Sequence, residues 1–147
     1  MKKTFLVLWI ALMLSALALA ACGGGGAEKA SDSAPAEKVP AEYADLKNPY
    51  VGKTDAADAG KTIYTEKCAT CHGAGGKGDG AGGAALNPKP ADLTKISADP
   101  DGLIYWRIAE GGTAEPFKSE GSTMPAWKAV LTKDEIWQTV TYLRTLK

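Results

Sequence analysis

Five consecutive residues, Cys68-Ala69-Thr70-Cys71-His72, constrain this 147-residue chain more than any other feature. Two thiols about one helical turn apart can reach the vinyl groups on neighbouring edges of a porphyrin and form thioethers with them. The next residue then carries its imidazole under the ring centre, where it can bind iron. The spacing therefore predicts one covalent haem c, joined to Cys68 and Cys71 and ligated by His72. A buried haem would also enlarge the core of a domain of about ninety residues, which by itself can bury little apolar surface.

Other uses of the pentapeptide fare worse. A structural zinc ion wants four Cys or His ligands. The chain has three cysteines and a single histidine, and adjacent Cys71 and His72 cannot easily share one tetrahedral ion. A redox dithiol of the thioredoxin type needs a βαβ setting, and no such pattern is visible. A disulfide across the two-residue gap remains open in an oxidising compartment. For the second axial position there is no other histidine. After signal removal the only methionine is Met124, in Ser122-Thr123-Met124-Pro125-Ala126-Trp127. A thioether on a loop can swing over the distal face; the alternative is a methionine that fills a gap in the core.

The N-terminus gives the chain an address. Lys2 and Lys3 precede an apolar run over residues 5–19 that only Ser15 interrupts. Small residues follow, the layout of a secretory signal. The run is short for a transmembrane span, which needs ~20 apolar residues. Leu19-Ala20-Ala21-Cys22 resembles the lipobox of bacterial lipoproteins, which implies cleavage before Cys22 and lipid on its thiol. The expected location is extracytoplasmic and membrane-anchored: the periplasmic side of a Gram-negative cell, or the outer face of a Gram-positive one. An ordinary signal with a stray cysteine, or an uncleaved anchor, is the competing arrangement. Residues 1–21 are thus read as signal, 22–54 as a lipid-anchored flexible linker, and 55–147 as the functional domain. As a coil, about thirty linker residues would span ~30 Å. Tyr43, Leu46 and Tyr50 hint that the end of the linker packs on the domain.

Charge excludes one class of partner. The whole chain carries 17 basic and 17 acidic side chains, and cleavage would leave 15 against 17. No basic face for nucleic acid is expected.

Periodicity predicts an all-α domain. The first helix should start after Thr54 or Asp55, with either as its cap, and run towards Cys68. Ala57, Gly60, Tyr64 and Cys68 would share one face. The second should begin with Asp99 as cap and Pro100 in the first turn, carry Leu103, Ile104 and Ile108 inward, and stop at Gly111-Gly112. The third has a T-x-x-E capping box, Thr132 with Glu135, ahead of Ile136, Val140 and Leu143. No segment alternates convincingly as a strand.

From about Asp58 onward the chain resembles the class I monohaem cytochromes c. The resemblance rests on Gly60 and Tyr64, the 68–72 motif with Gly73, and Gly76-Lys77-Gly78-Asp79-Gly80. It continues through Pro90-Ala91-Asp92-Leu93-Thr94, Met124-Pro125-Ala126-Trp127 and residues 136–146, with Tyr142-Leu143. It implies a fold whose first and last helices cross closely, with Gly60 permitting the approach and Tyr142 or a neighbour opposite. It also implies a proline carbonyl on the second nitrogen of the proximal imidazole. Pro90 is the choice for that role, and Pro88 fits the spacing nearly as well. Trp106, Trp127 and Arg107 could reach a propionate, or simply pack and face solvent.

The function implied is single-electron transfer between redox-partner proteins, with no substrate transformed. A haem enzyme or sensor with a labile Met124, and a haem-bearing subunit of a larger membrane oxidoreductase, are the alternatives. Gly78-x-Gly80-x-x-Gly83 also reads as a dinucleotide fingerprint. That signature needs a strand before it and a helix after it, and here Asn87-Pro88-Lys89-Pro90 follows at once, so no nucleotide is expected.

Overall fold

The computed structural model describes residues 39–147. The expected signal over 1–21, the lipidation candidate Cys22 and the linker up to residue 38 lie outside the described residues. Among the described residues all regular structure is helical, without a strand. In chain order the helices are α1 (Ala41–Ala44), α2 (Thr54–Lys67), α3 (Ala69–His72), α4 (Asp101–Glu110) and α5 (Lys133–Leu143), with short 3-10 turns between them. None is long and apolar enough to cross a membrane.

Helix α2 is rich in alanine, which costs no side-chain entropy. It begins one residue earlier than its capping residues suggest. Lys53 occupies the N-cap without a side-chain bond. A preceding turn, Lys53 N–H to Tyr50 C=O at 3.0 Å, already delivers the chain in position. Thr54 and Asp55 therefore fall inside the first turn, where the Asp55 charge favours the helix dipole. The buried face is Ala56, Gly60 and Tyr64, with Ala57 turned half outward.

Gly60 is where α2 meets α5. A Cβ at this position would stand 2.9 Å from the Thr139 amide nitrogen and closer still to the Gln138 carbonyl. The partner of Gly60 is thus the Gln138-Thr139 backbone rather than Tyr142. One turn on, Tyr142 meets the Tyr64 ring at 5.2 Å between centroids.

Helix α4 starts at Asp101 with Pro100 at its N-cap, one step later than the Asp99 cap expected from sequence. The reason is steric: a residue before proline is driven into extended backbone, and Asp99 sits at ψ 140°. Its carboxylate instead accepts a bond from Arg107 at 2.8 Å. At the other end Gly111 terminates the helix as expected. Ile104 and Ile108 point into the core, joined by Tyr105, Trp106 and Ala109, while Leu103 is half-buried.

Helix α5 opens with the expected capping box. Thr132 Oγ1 accepts from Glu135 N–H at 3.2 Å, and Glu135 Oε2 accepts from Thr132 N–H at 2.8 Å. Ile136, Val140 and Leu143 are buried together with Trp137, whose ring lies 4.4 Å from that of Tyr105.

The folded unit reaches further towards the N-terminus than a start at residue 55 implies. Residues 40–53 form a strap over α4 and α5. Asn48 is buried and donates from Nδ2 to Thr141 Oγ1 at 2.9 Å. The Tyr43 hydroxyl donates to Glu110 Oε1 at 2.5 Å, and its ring packs near Tyr105 and Trp106. The hint carried by Tyr43, Leu46 and Tyr50 is met, since all three rest on the core.

Candidate functional site

The 68–72 motif lies where α2 gives way to the single turn α3. Cys68 C=O accepts from Cys71 N–H at 3.1 Å and from His72 N–H at 2.9 Å, so the two thiols and the imidazole leave the backbone within one turn. Both thiols are free and half-buried. Burial pushes the Cys68 thiol up to about 11, and the neighbouring Cys71 adds to the effect. Among the described residues no group of three His, Cys, Asp or Glu converges that could hold a metal ion.

The imidazole is oriented by one contact. His72 Nδ1 lies 3.1 Å from the Ala91 carbonyl oxygen. A carbonyl can only accept, so Nδ1 carries the proton and the neutral ring presents a lone pair at Nε2. Burial of the ring lowers its pKa, with the bond to Ala91 acting in the opposite sense. The favoured state at neutral pH is the uncharged ring that binds metals.

The carbonyl in that bond corrects the choice of Pro90, and of Pro88 as its alternate. Pro90 C=O faces Gly78, and the Pro90 ring packs on Gly83. Pro90 therefore lines the same loop, while the bond to the imidazole comes from Ala91. The Gly/Ala-rich stretch before it hides the register by one residue.

That stretch is wrapped around the motif. Gly78 N–H donates to His72 C=O at 2.9 Å and Gly80 N–H to Cys71 C=O at 3.1 Å. Gly78 has φ +75°, and a side chain there would also strike Pro90 C=O, which together leave glycine as the residue that fits. The Gly78 and Gly80 amides of the G-x-G-x-x-G string are thus committed to carbonyls of the motif. The loop is tied to the body twice: the Tyr64 hydroxyl donates to Gly73 C=O at 2.6 Å, and Leu93 N–H to Gly76 C=O at 2.6 Å.

Sequence reasoning missed Arg144. Its guanidinium, on the last turn after α5, donates to Ile96 C=O and Ser97 C=O at 2.9 Å each, to Asp99 C=O at 2.5 Å and to Asp101 Oδ1 at 2.7 Å. It thereby pins the segment that follows Ala91 against the end of α5. A lone arginine near a C-terminus carries no sequence signal for such a task.

Met124 enters from a different segment. Its carbonyl accepts from Gly112 N–H at 2.8 Å, just beyond α4. Its side chain is half-buried and packs on the core, as do Trp127 and Leu93. Of the propionate candidates, Trp106 is buried with its ring 4.9 Å from Phe117, and Arg107 pairs with Asp99.

This donor set fits a covalent haem. Two reachable thiols stand one turn apart, and an imidazole nitrogen is freed by a carbonyl bond on its other side, an arrangement that fixes the ring and strengthens the ligand. Residues 57–147 match the family model described as cytochrome c. No curated protein matches the chain.

Proposed function

Because this chain belongs to the cytochrome c family of haem-binding electron carriers, we propose that it is a single-electron carrier tethered on the extracytoplasmic side of a membrane. One haem c would be held by Cys68 and Cys71, with His72 and Met124 as the axial ligands of its iron. The haem, when bound, supplies a one-electron ferric/ferrous couple. The rest is done by the chain. Ala91 keeps the His72 proton on Nδ1, so the imidazole meets the metal as a neutral donor. Thioether and imidazole together would fill both axial positions, which favours electron transfer over chemistry at an open site.

The observation that carries this reading is the 3.1 Å contact between His72 Nδ1 and Ala91 O, within one turn of two free thiols. Met124 rests on elimination, as the sole methionine of the processed chain, and on its loop position. Replacing it tests the assignment. Met124→Ala should abolish the Met–iron charge-transfer band of the ferric protein. It should also lower the reduction potential by on the order of a few hundred mV, within the ~0.8 V range that axial ligands command. A variant with the band and potential of the parent would remove Met124 from the iron.

The tether is read from the sequence of residues 1–22. Two or three acyl chains at ~0.8 kcal/mol per buried CH₂ hold a small domain firmly on a bilayer. Cys22→Ser should accordingly move the protein from the membrane fraction to the soluble fraction of fractionated cells. Retention in membranes washed with high salt and carbonate would contradict lipid attachment.

A further inference from the structure

The end of α4 grips the Met124 loop at two points. Gly112 N–H bonds to Met124 C=O at 2.8 Å. Four residues further along that loop, Lys128 Nζ donates to Glu110 Oε1 at 2.7 Å. The same Glu110 oxygen receives the Tyr43 hydroxyl at 2.5 Å, so a residue of the N-terminal strap completes the arrangement. The Glu110 side chain is only 15% exposed. Bonds from Lys128 and then Tyr43 hold its carboxyl below the usual range, while burial and then the bond to Glu110 raise the Tyr43 phenol well above its own. At neutral pH Glu110 is therefore a carboxylate that accepts and Tyr43 a protonated phenol that donates.

We infer that Tyr43, Glu110 and Lys128 form a clamp that positions the loop carrying Met124 and sets how tightly that side chain is held in place. The inference rests on the proposal that Met124 ligates the iron, and adds that the strap beside the tether controls it. At Met124 the loop is restrained by the Gly112 bond and by packing of the side chain on the core. The side-chain clamp restrains it at Lys128, so that the intervening Pro125-Ala126-Trp127 is held at both ends. Charge-assisted bonds are about twice as strong as neutral ones; here the carboxylate is mostly covered while the Lys128 side chain stays 55% exposed, so water screens part of that strength. Tyr43, Glu110 and Lys128 are positioning residues: they act on Met124 through the backbone between them.

The test uses the full-length ferric holoprotein and exogenous imidazole, which competes with the methionine for the iron. Loss of the Met–iron band reports the exchange. Glu110→Gln should tighten apparent imidazole binding by about three- to tenfold. Lys128→Gln should do the same, and the double variant should be no tighter than either alone, because the two act through each other. Tyr43→Phe, which removes a single oxygen, is the mild variant should Glu110→Gln fold poorly. Hydrogen exchange at the Gly112 amide should quicken in all of them, a readout independent of the metal.

A lower melting temperature with imidazole affinity within roughly twofold of the parent would reduce the network to general stability and overturn the clamp. Fully additive single-variant effects would overturn it as well. A parent protein without any Met–iron band would instead bring down the ligation reading, and the clamp's purpose with it.

Discussion

Gly60→Ala is expected to destabilise the protein by about 1–3 kcal/mol, the usual scale of overpacking, although the same change in a free helix stabilises by about 1 kcal/mol. The sign reverses because of what stands opposite. The new Cβ would meet the Gln138 carbonyl and the Thr139 amide of α5, backbone atoms that no rotamer change can move aside. Relief requires α2 and α5 to separate, and these helices carry Tyr64, Ile136, Val140 and Leu143 of the core. Gly60→Val adds two methyl groups and a stiff β-branch. It is expected to lose at least about 3 kcal/mol more, enough to unfold many small domains whose total stability is about 5–15 kcal/mol. Denaturant titration of both variants measures the effect. A Gly60→Ala protein as stable as the parent would mean that the helices do not cross at this residue.

The second large effect concerns the two thiols. A protein with Cys68→Ala and Cys71→Ala keeps His72, Ala91 and the surrounding loop, so a haem could still be ligated. It could no longer be retained through unfolding. Acidified acetone should then extract essentially all the haem from the double variant and essentially none from the parent. Each single variant should keep its haem through the remaining thioether, with Cys71 and Cys68 contributing separately. Equal extraction from parent and double variant would show that neither thiol is bonded to the ring. The folded domain should also suffer, since the motif sits between α2 and the loop and its ring would form part of the core.

Much of this was legible in the residues, and what was not has identifiable causes. The 68–72 motif and the Thr132–Glu135 capping box are local signals, and each survives in the structure because nothing tertiary competes with it, whereas the close approach at Gly60 was implied by the family resemblance. Helix starts were harder. Lys53 rather than Thr54 caps α2, because a turn from Tyr50 sets the entry. Asp99 is held extended by Pro100 and turns to Arg107 instead.

Tyr43, Leu46 and Tyr50 hinted at the strap over 40–53, but its extent escaped hydropathy because one of its anchors is polar: Asn48, buried and bonded to Thr141, ninety-three residues away. The proximal carbonyl was missed by one residue, since counting from a motif cannot fix register across a glycine-rich loop whose path is set by Gly78 and Gly80. Glu110 gave no warning either. An acidic residue at the end of a helix is ordinarily unfavourable there, and it takes the approach of Lys128 and Tyr43 to make sense of it.

The cofactor is the centre of the account, and intact mass of the unfolded, purified chain from haem-ligating cells tests it most directly. The expected result is the processed polypeptide plus one haem, with the added mass on a proteolytic fragment containing residues 68–72 and no free thiol in that fragment. A chain at the mass of polypeptide and lipid alone, with Cys68 and Cys71 reduced or joined to each other, would contradict it.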